Sequence, residues 1–317
     1  MRRALVLGVN GQDGSFAAAA LLARGFHVTG IAHPAASRYV GPHPHFTYVS
    51  LDLADGAALD RLLAETAPDY VFHLAAIHGP NAPFYEPVFR EMTAVNVLSL
   101  YAALEYARCH NPSLRIAYAS SVKIFGATPM GRIDEYNPRI TTCLYSNTKN
   151  SAFDLIAHYR QNYRIAASNL ILFNHESSRR PRGFFIPDLA ACLSDALDDP
   201  NATRGFRTLD FYADWSDAAE FMDLAIDVAE LTDGVDLIFA SGITWYGRDF
   251  ARRLFEAYGL DYTRHVSEGV PTNSAAAFEA CIGRLEQTVG RRPLRSIFSI
   301  VNDLLPQRHR IEPVPTP

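Results

Sequence analysis

The 317-residue sequence predicts an α/β fold: a doubly wound parallel sheet followed by a smaller C-terminal α/β lobe. Three observations predict it. Short apolar runs alternate with helix-forming segments through the first half of the chain, a glycine-rich loop joins the first such run to the first helix, and the alternation becomes irregular after residue 172. Crossovers of this length suit parallel strands, and a parallel sheet carries helices on both faces.

Taken in order, ALVLG (Ala4 to Gly8) is a strand ended by glycine, and SFAAAALLARG (Ser15 to Gly25) is a helix closed by a glycine C-cap. HVTGIA and FTYVSLD are the next two strands, GAALDRLLAETA a helix and YVFHLAA the fourth strand. A long helix is expected within Phe89 to Arg108, then the strand RIAYASS, the helix YSNTKNSAFDLIAHYRQNY and the run AASNLILF. Beyond it come RGFFIPDLAACLSDAL, a turn at Asp214 and Trp215, SDAAEFMDLAIDVAEL, VDLIFASG, GRDFARRLFEAYG and SIFSIVNDLL. This organisation gives residues 1–172 to a dinucleotide-binding unit, with a later crossing back to its sheet. Residues 173–305 go mainly to a substrate-binding lobe, and the proline-rich, charged residues 306–317 to a flexible tail.

Composition narrows the chemistry. At 48% hydrophobic residues the chain can bury a full core, and a net charge of -5 without blocks of like charge offers no footprint for nucleic acid or anionic membrane. Small-molecule chemistry is the class that remains. Cys109, Cys143, Cys192 and Cys281 stand far apart with no CxxC pair, which argues against a zinc site and a disulfide scaffold, so no metal is expected. The apolar run in RRALVLGVNG is too short for a signal or spanning segment, and a reducing, cytoplasmic location is expected.

Gly8, Gly11 and Gly14 in GVNGQDG, with Asp13 among them, sit between a strand and a helix. A plain turn would use the same residue types, but here the helix start offers free N–H groups and a favourable dipole to a pyrophosphate that glycines let approach. Asp52 and Leu53 close the third strand, where an aspartate can take an adenine amine, and the small Ala75 and Ala76 close the fourth. All lie at the carboxyl ends of strands, the binding edge of an open α/β sheet. The cofactor expected is NADP or NAD. No acid follows the second strand in GIAHPAASR to read a ribose hydroxyl, and His33 and Arg38 there lean the choice towards NADP, although Arg38 can equally be a solvated loop residue.

Tyr145 and Lys149 are four apart on one helix face, so a cation stands near a phenol that would otherwise be a poor base. With Ser121 at the end of the preceding strand they form a catalytic candidate set, in which a serine hydroxyl and a tyrosine share a substrate oxygen and its proton.

These features together resemble the extended short-chain dehydrogenase/reductase superfamily, with its Rossmann-type fold, and within it the nucleotide-sugar branch typified by GDP-mannose 4,6-dehydratases. The resemblance rests on GVNGQDGS, DLAD, VFHLAA, NVLSL, SSVKIFG, YSNTK and above all FNHESSRRP (Phe173 to Pro181). It implies that Asn174 touches a nucleotide-sugar diphosphate, that Arg179 and Arg180 lie near the cofactor or a subunit contact, and that the protein is a homodimer or dimer of dimers. Pairing would run through the helices near Phe89 to Arg108 and Tyr145 to Tyr163. Two departures stand out. The family's Arg-Asp-Trp element reads Ala213-Asp214-Trp215, and the segment HVSEGVPTNSAAAFEA does not match the family's substrate loop.

The third departure concerns the reaction. The dehydratases carry Thr-x-Glu, whose glutamate moves a proton as water is eliminated across C5 and C6; here Ser121 stands at the threonine and Lys123 at the glutamate. A protonated lysine cannot accept a proton, whereas a desolvated, neutral one can. Reductases and epimerases acting at C4 need only the serine, tyrosine and lysine. The leading expectation is therefore a 4-keto reductase or epimerase on a GDP-linked sugar, the second a dehydratase with a substituted acid/base, and the third a cofactor-binding regulator without turnover. Substrate-side candidates are Lys123, His78, Asn174 and Arg179. Cys143 and His78 are as readily inert, His43, His45 and His73 carry no metal spacing, and Glu135 replaces the lost acid only if its loop folds inward.

Overall fold

The computed structural model describes residues 1–78, 85–269 and 276–312. The chain begins β1 (Arg3–Leu7), α1 (Gln12–Ala23), β2 (His27–Ala32), β3 (Phe46–Ser50), α2 (Gly56–Thr66), β4 (Tyr70–His73), α3 (Phe89–Thr93), α4 (Ser99–Cys109), β5 (Arg115–Ser121). It continues with β6 (Gly131–Ile133), α5 (Leu144–Tyr163), β7 (Ala166–Leu172), β8 (Asn174–Glu176), α6 (Phe185–Asp198), β9 (Arg204–Phe206), β10 (Tyr212–Asp217), α7 (Ala218–Leu231). The last elements are β11 (Asp236–Phe239), β12 (Thr244–Tyr246), α8 (Gly247–Ala257), β13 (Val266–Glu268), β14 (Phe278–Ala280), α9 (Gly283–Val289) and α10 (Ile297–Leu304).

Seven strands pair in the order β3-β2-β1-β4-β5-β7-β11, all parallel. Strand parity explains why the central strands read as unbroken apolar runs. On β1, Ala4 and Val6 join the core under α1 and α7, while Leu5 and Leu7 join the core under α2, α4 and α5. The strand β11 is the expected crossing back, in register with β7 from Asp236 opposite Asn169 to Phe239 opposite Leu172. A separate apolar cluster gathers α6, α8 and α10 around Trp215, Phe250 and Phe298. Among the described residues no helix is long and apolar enough to cross a membrane.

The structure differs from the sequence reading in three places. The long helix expected within Phe89 to Arg108 is broken by a π turn at Ala94–Leu98. There the buried Asn96 accepts from Ile77 N at 2.9 Å and donates to Thr148 Oγ1 at 3.1 Å, while Tyr118 OH donates to the Asn96 carbonyl at 2.8 Å. The widened turn thus fastens the segment after β4 to α5 and β5. Second, Ala213-Asp214-Trp215 is not a turn but the middle of β10, paired with β12 on one side and β8 on the other. Asp214 there accepts from Ser241 N and Gly242 N, each at 2.8 Å, bonds that only the folded chain supplies. Third, order continues past Leu305: Gln307–His309 form a turn of 3-10 helix, and Asn302 pairs with the Ile311 backbone through its amide at 2.9 and 3.0 Å. Residues 270–275 of the unmatched substrate loop and the last five residues of the expected tail lie outside the described residues. Leu98, Tyr101 and Tyr163, on the helices expected to pair between subunits, are exposed.

Candidate active site

The glycine loop is shaped by close approach. Gly8 has φ +91, and a Cβ on it would stand 2.7 Å from Ala75 N; a Cβ on Gly14 would stand 2.1 Å from Gly8 O. The loop therefore lies flat against the end of β4, and α1 starts at Gln12 with no side chain capping its first amides. Gly11 faces two cavities. One, of about 350 Å³, is lined by Gly8, His33, Asp52, Leu53, Ala75 and Ala76. The other, of about 320 Å³, is lined by Asp13, Ser121, Lys123, Tyr145, Lys149 and Asn174, with His78 and Ala76 at its side. Backbone donors at one end of the loop and a cradle a Cβ would fill fit a dinucleotide laid across Gly11, adenosine in the first cavity and nicotinamide towards the second.

The elements around the second cavity explain each side chain's placement. Ser121 ends β5, where its hydroxyl accepts from Lys123 N at 3.2 Å. α5 begins at Leu144 behind a capping box made by Cys143 and Ser146, which sets Tyr145 and Lys149 on the face toward the sheet. Lys149 is 1% exposed, and its ammonium donates to Ala119 O at 2.7 Å and Tyr118 OH at 3.2 Å. Burial lowers its pKa to about 7, with Asp13 pulling the other way.

Tyr145 departs from the expected electrostatics. Burial raises its phenol above the ordinary value, more than the Ser121 hydrogen bond and the charge of Arg180 lower it. The Lys149 ammonium lies 5.6 Å from the ring centroid and is spent on Ala119 and Tyr118, so the lysine does not make a tyrosinate by direct contact. What covers the ring is His78, stacked on it at 4.5 Å between centroids and hydrogen-bonded to Tyr85 OH at 3.0 Å. Burial, with Arg180 and Lys149 nearby, lowers His78 to about 4 and keeps it neutral.

Lys123 is in the cleft. Its side chain is exposed to the open cavity, yet the surrounding protein desolvates the ammonium and lowers its pKa, and Nζ donates to Ala127 O at 3.3 Å. It borders both the Tyr145 cavity and a third one, also of about 350 Å³, lined by Asn174, Glu176, Arg180, Arg207 and Ala213.

Other expected residues fall elsewhere. Arg179 donates to Ser15 Oγ at 2.8 Å and lies over Phe16 at 4.0 Å, outside the sugar-side cavities; its neighbour Arg180 lines both of them. Arg38 is exposed, with its backbone N bound to Asn10 Oδ1 at 2.8 Å and its guanidinium over Tyr39 at 5.0 Å, so His33 rather than Arg38 lines the adenosine-side cavity. Glu135 accepts from Ile238 N at 3.0 Å, and that bond at the edge strand β11 keeps it from replacing the missing acid. Cys143 serves as the N-cap of α5.

Sequence reasoning missed the clamp between the glycine loop and β8. His175 Nε2 donates to Asp13 Oδ1 at 2.9 Å, Gln12 Nε2 donates to the His175 carbonyl at 3.2 Å, and Ser177 donates to Gln12 Oε1 at 2.8 Å. Burial works against both charges, but the mutual attraction of Asp13 and His175 prevails, holding the carboxylate low and the imidazole high. It missed Glu176 as well, although strand alternation from Asn174 was a usable signal.

Comparison with known proteins gives the family and the fold. Residues 5–283 match the GDP-mannose 4,6 dehydratase family. A GDP-mannose 4,6-dehydratase of Vibrio cholerae is 28% identical over 284 residues, covering 82% of this chain and 75% of that protein. One from Yersinia enterocolitica is 29% identical, covering 82% and 73%. Among solved structures, the Bordetella bronchiseptica enzyme WbmH in complex with NAD+ superposes with a TM-score of 0.76 at 20% identity, covering 96% of this chain and 97% of that one, a likeness of fold. By the match over residues 5–283, the chain belongs to the GDP-mannose 4,6-dehydratase family, within the nucleotide-sugar branch of the extended short-chain dehydrogenases/reductases.

Proposed function

We propose that the protein is a 4,6-dehydratase acting on a GDP-linked hexose, with NADP or NAD held along the glycine loop. The observation that carries this reading is the position of Lys123, in the cleft beside Ser121 and Tyr145 and with a lowered pKa. Its substitution for glutamate argued against elimination because a protonated lysine cannot accept a proton, and desolvation in the cleft moves the amine towards the neutral form that can. A desolvated amine is a competent base for a proton beside a carbonyl.

The dinucleotide, when bound, supplies the hydride acceptor and donor for sugar carbon. Ser121 orients the C4 oxygen, and as C4 becomes a ketone Tyr145 would take the hydroxyl proton as a phenolate, a form that the positive nicotinamide of a bound oxidised dinucleotide would favour against the burial that raises the phenol. Lys149 fixes the end of β5 through Ala119 and Tyr118, and its remaining N–H would be available to the ribose of a bound dinucleotide. The ketone acidifies C5–H, which Lys123 removes. His78 shields Tyr145 from water on one ring face.

A second reading, a C4 reductase or epimerase, is favoured by the absence of a carboxylate at position 123. Incubation of the purified protein with GDP-mannose and dinucleotide, followed by mass spectrometry, separates the two. Loss of one water supports the dehydratase. No change in GDP-mannose, with NADPH consumed on GDP-4-keto-6-deoxymannose, replaces it by the reductase. Tyr145→Phe is expected to lower either turnover by about 100-fold or more, and unchanged turnover would show that the site is misassigned.

A further inference from the structure

Elimination needs an acid for the departing hydroxyl as well as a base for C5–H, and Lys123 cannot be both in one step. The wall of the cleft holds a candidate. On β8, Asn174 and Glu176 are two apart and both line the cavity shared with Lys123, while His175 between them turns away to Asp13.

Glu176 is 3% exposed, yet its Oε2 has no hydrogen-bond partner among the described residues. The cation beside it, Arg180, stands 3.7 Å away at Nε, too far for a hydrogen bond, and that Nε is likewise unpartnered. The guanidinium is seated over the Phe184 ring at 3.7 Å, so the gap is built into the packing. An acceptor and a donor buried side by side without partners are costly to fold, and because both residues line the cavity a small shift of the Arg180 side chain off Phe184 would open the pair to a ligand hydroxyl that takes one bond and gives the other. Arg180 also lines the Tyr145 cavity, which joins this pair to the reacting end of the cleft.

We propose that Glu176 is the general acid that protonates the C6 hydroxyl as it leaves, with Arg180 positioning its carboxyl. This rests on the dehydratase reading above. In the step, the C5–H bond breaks and its proton goes to Lys123 Nζ. The electron pair forms the C5=C6 bond of a C4 enone, the C6–O bond breaks, and the oxygen departs as water carrying the Glu176 proton. The hydride removed from C4 returns at C6, the Lys123 proton returns at C5, and the C4-hydroxyl proton taken by Tyr145 balances the one Glu176 lost. The net change is loss of water, with the dinucleotide restored.

The charged groups around Glu176 fit an acid that is protonated near neutrality. Burial raises its carboxyl to about 7, Arg180 and His175 oppose that rise, and Asp13 on α1 adds to it. Across the sheet its register partner Asp217 is engaged by Arg295, and Lys123 and Arg207 face the same cavity.

The test compares two leaving groups in the full chain with bound dinucleotide. GDP-mannose must lose water with acid assistance, whereas the 6-fluoro-6-deoxy analogue expels fluoride without it. Glu176→Gln is expected to lose water elimination by about 100-fold or more while releasing fluoride within about threefold of wild type, the fluoride rate also reporting that the variant is folded. Wild type supplies an arm independent of any variant: water loss declines on an alkaline limb near pH 7 that fluoride release lacks. Equal loss of both activities in a folded Glu176→Gln, undiminished water elimination, or the same limb for both leaving groups overturns the assignment. If wild type eliminates neither, the dehydratase reading falls with it; if wild type eliminates water and Glu176→Gln does too, only the role of Glu176 falls.

Discussion

Replacing Lys149 with methionine removes an ammonium that folding carries into an almost fully buried site. Burial lowers the native amine to about 7, against the ordinary 10.5 of an unfolded chain. Between those values the unfolded chain holds one more proton than the native one, so wild-type stability rises with pH across that window. A gap of roughly 3.5 units at about 1.4 kcal/mol per unit puts the cost of burying the charge near 5 kcal/mol below pH 7, vanishing towards pH 10.5. Methionine escapes that cost but strands Ala119 O, a penalty of about 1–3 kcal/mol that does not vary with pH, while Tyr118 OH keeps its bond to the Asn96 carbonyl. The variant is therefore expected to be the more stable protein at pH 6.5, and to lose its advantage by about 1.4 kcal/mol per unit above pH 7. Urea unfolding followed by the fluorescence of Trp215 and Trp245, at several pH values from 6.5 to about 9.5, measures the difference directly. Titrations that do not feel Lys149 cancel between the two proteins, and His73 and His78, which Lys149 helps to lower, are neutral in the folded wild type across this range. A difference that stays flat across this range would refute the claim that Lys149 is held near neutrality by burial.

Two further outcomes follow from the glycine loop and its clamp. Gly8→Ala combines a left-handed φ with a Cβ 2.7 Å from Ala75 N, so it is expected to cost at least about 2 kcal/mol and to abolish dinucleotide binding, read by thermal unfolding and by fluorescence titration with NADPH; near-wild-type values would mean the loop is not packed as described. Asp13→Asn leaves His175 buried without its carboxylate, an expected loss of about 3–5 kcal/mol near neutral pH read by urea unfolding; a near-wild-type stability would contradict the ion pair.

The parts of the site that could be read from the sequence share one property: their partners are local. Gly8, Gly11 and Gly14 lie between adjacent elements, Tyr145 and Lys149 are one helical turn apart, and Asp52, Leu53, Ala75 and Ala76 end strands whose apolar runs are self-evident. The failures are residues whose partners come from far along the chain. Arg179 and Arg180 are neighbours in sequence, yet one is claimed by Ser15 and Phe16 on α1 and the other by Phe184 and the cleft. Glu135 is held by Ile238, and Ala213-Asp214-Trp215 became a strand because β8 and β12 arrive on either side of it.

The sequence by itself determined the parallel α/β architecture and brought the glycine loop, Ser121, Tyr145 and Lys149 forward as site candidates, because period, glycine placement and helical spacing are properties of short stretches of chain. Only the tertiary structure decided the orientations and the direction in which each proton equilibrium moves: burial raises Tyr145 and Glu176 and lowers Lys149 and Lys123. Desolvation is set by what the rest of the molecule stacks around a group. No stretch of residues carries that information alone, which is why Lys123 looked like the loss of an acid in the sequence and stands as a candidate base in the fold.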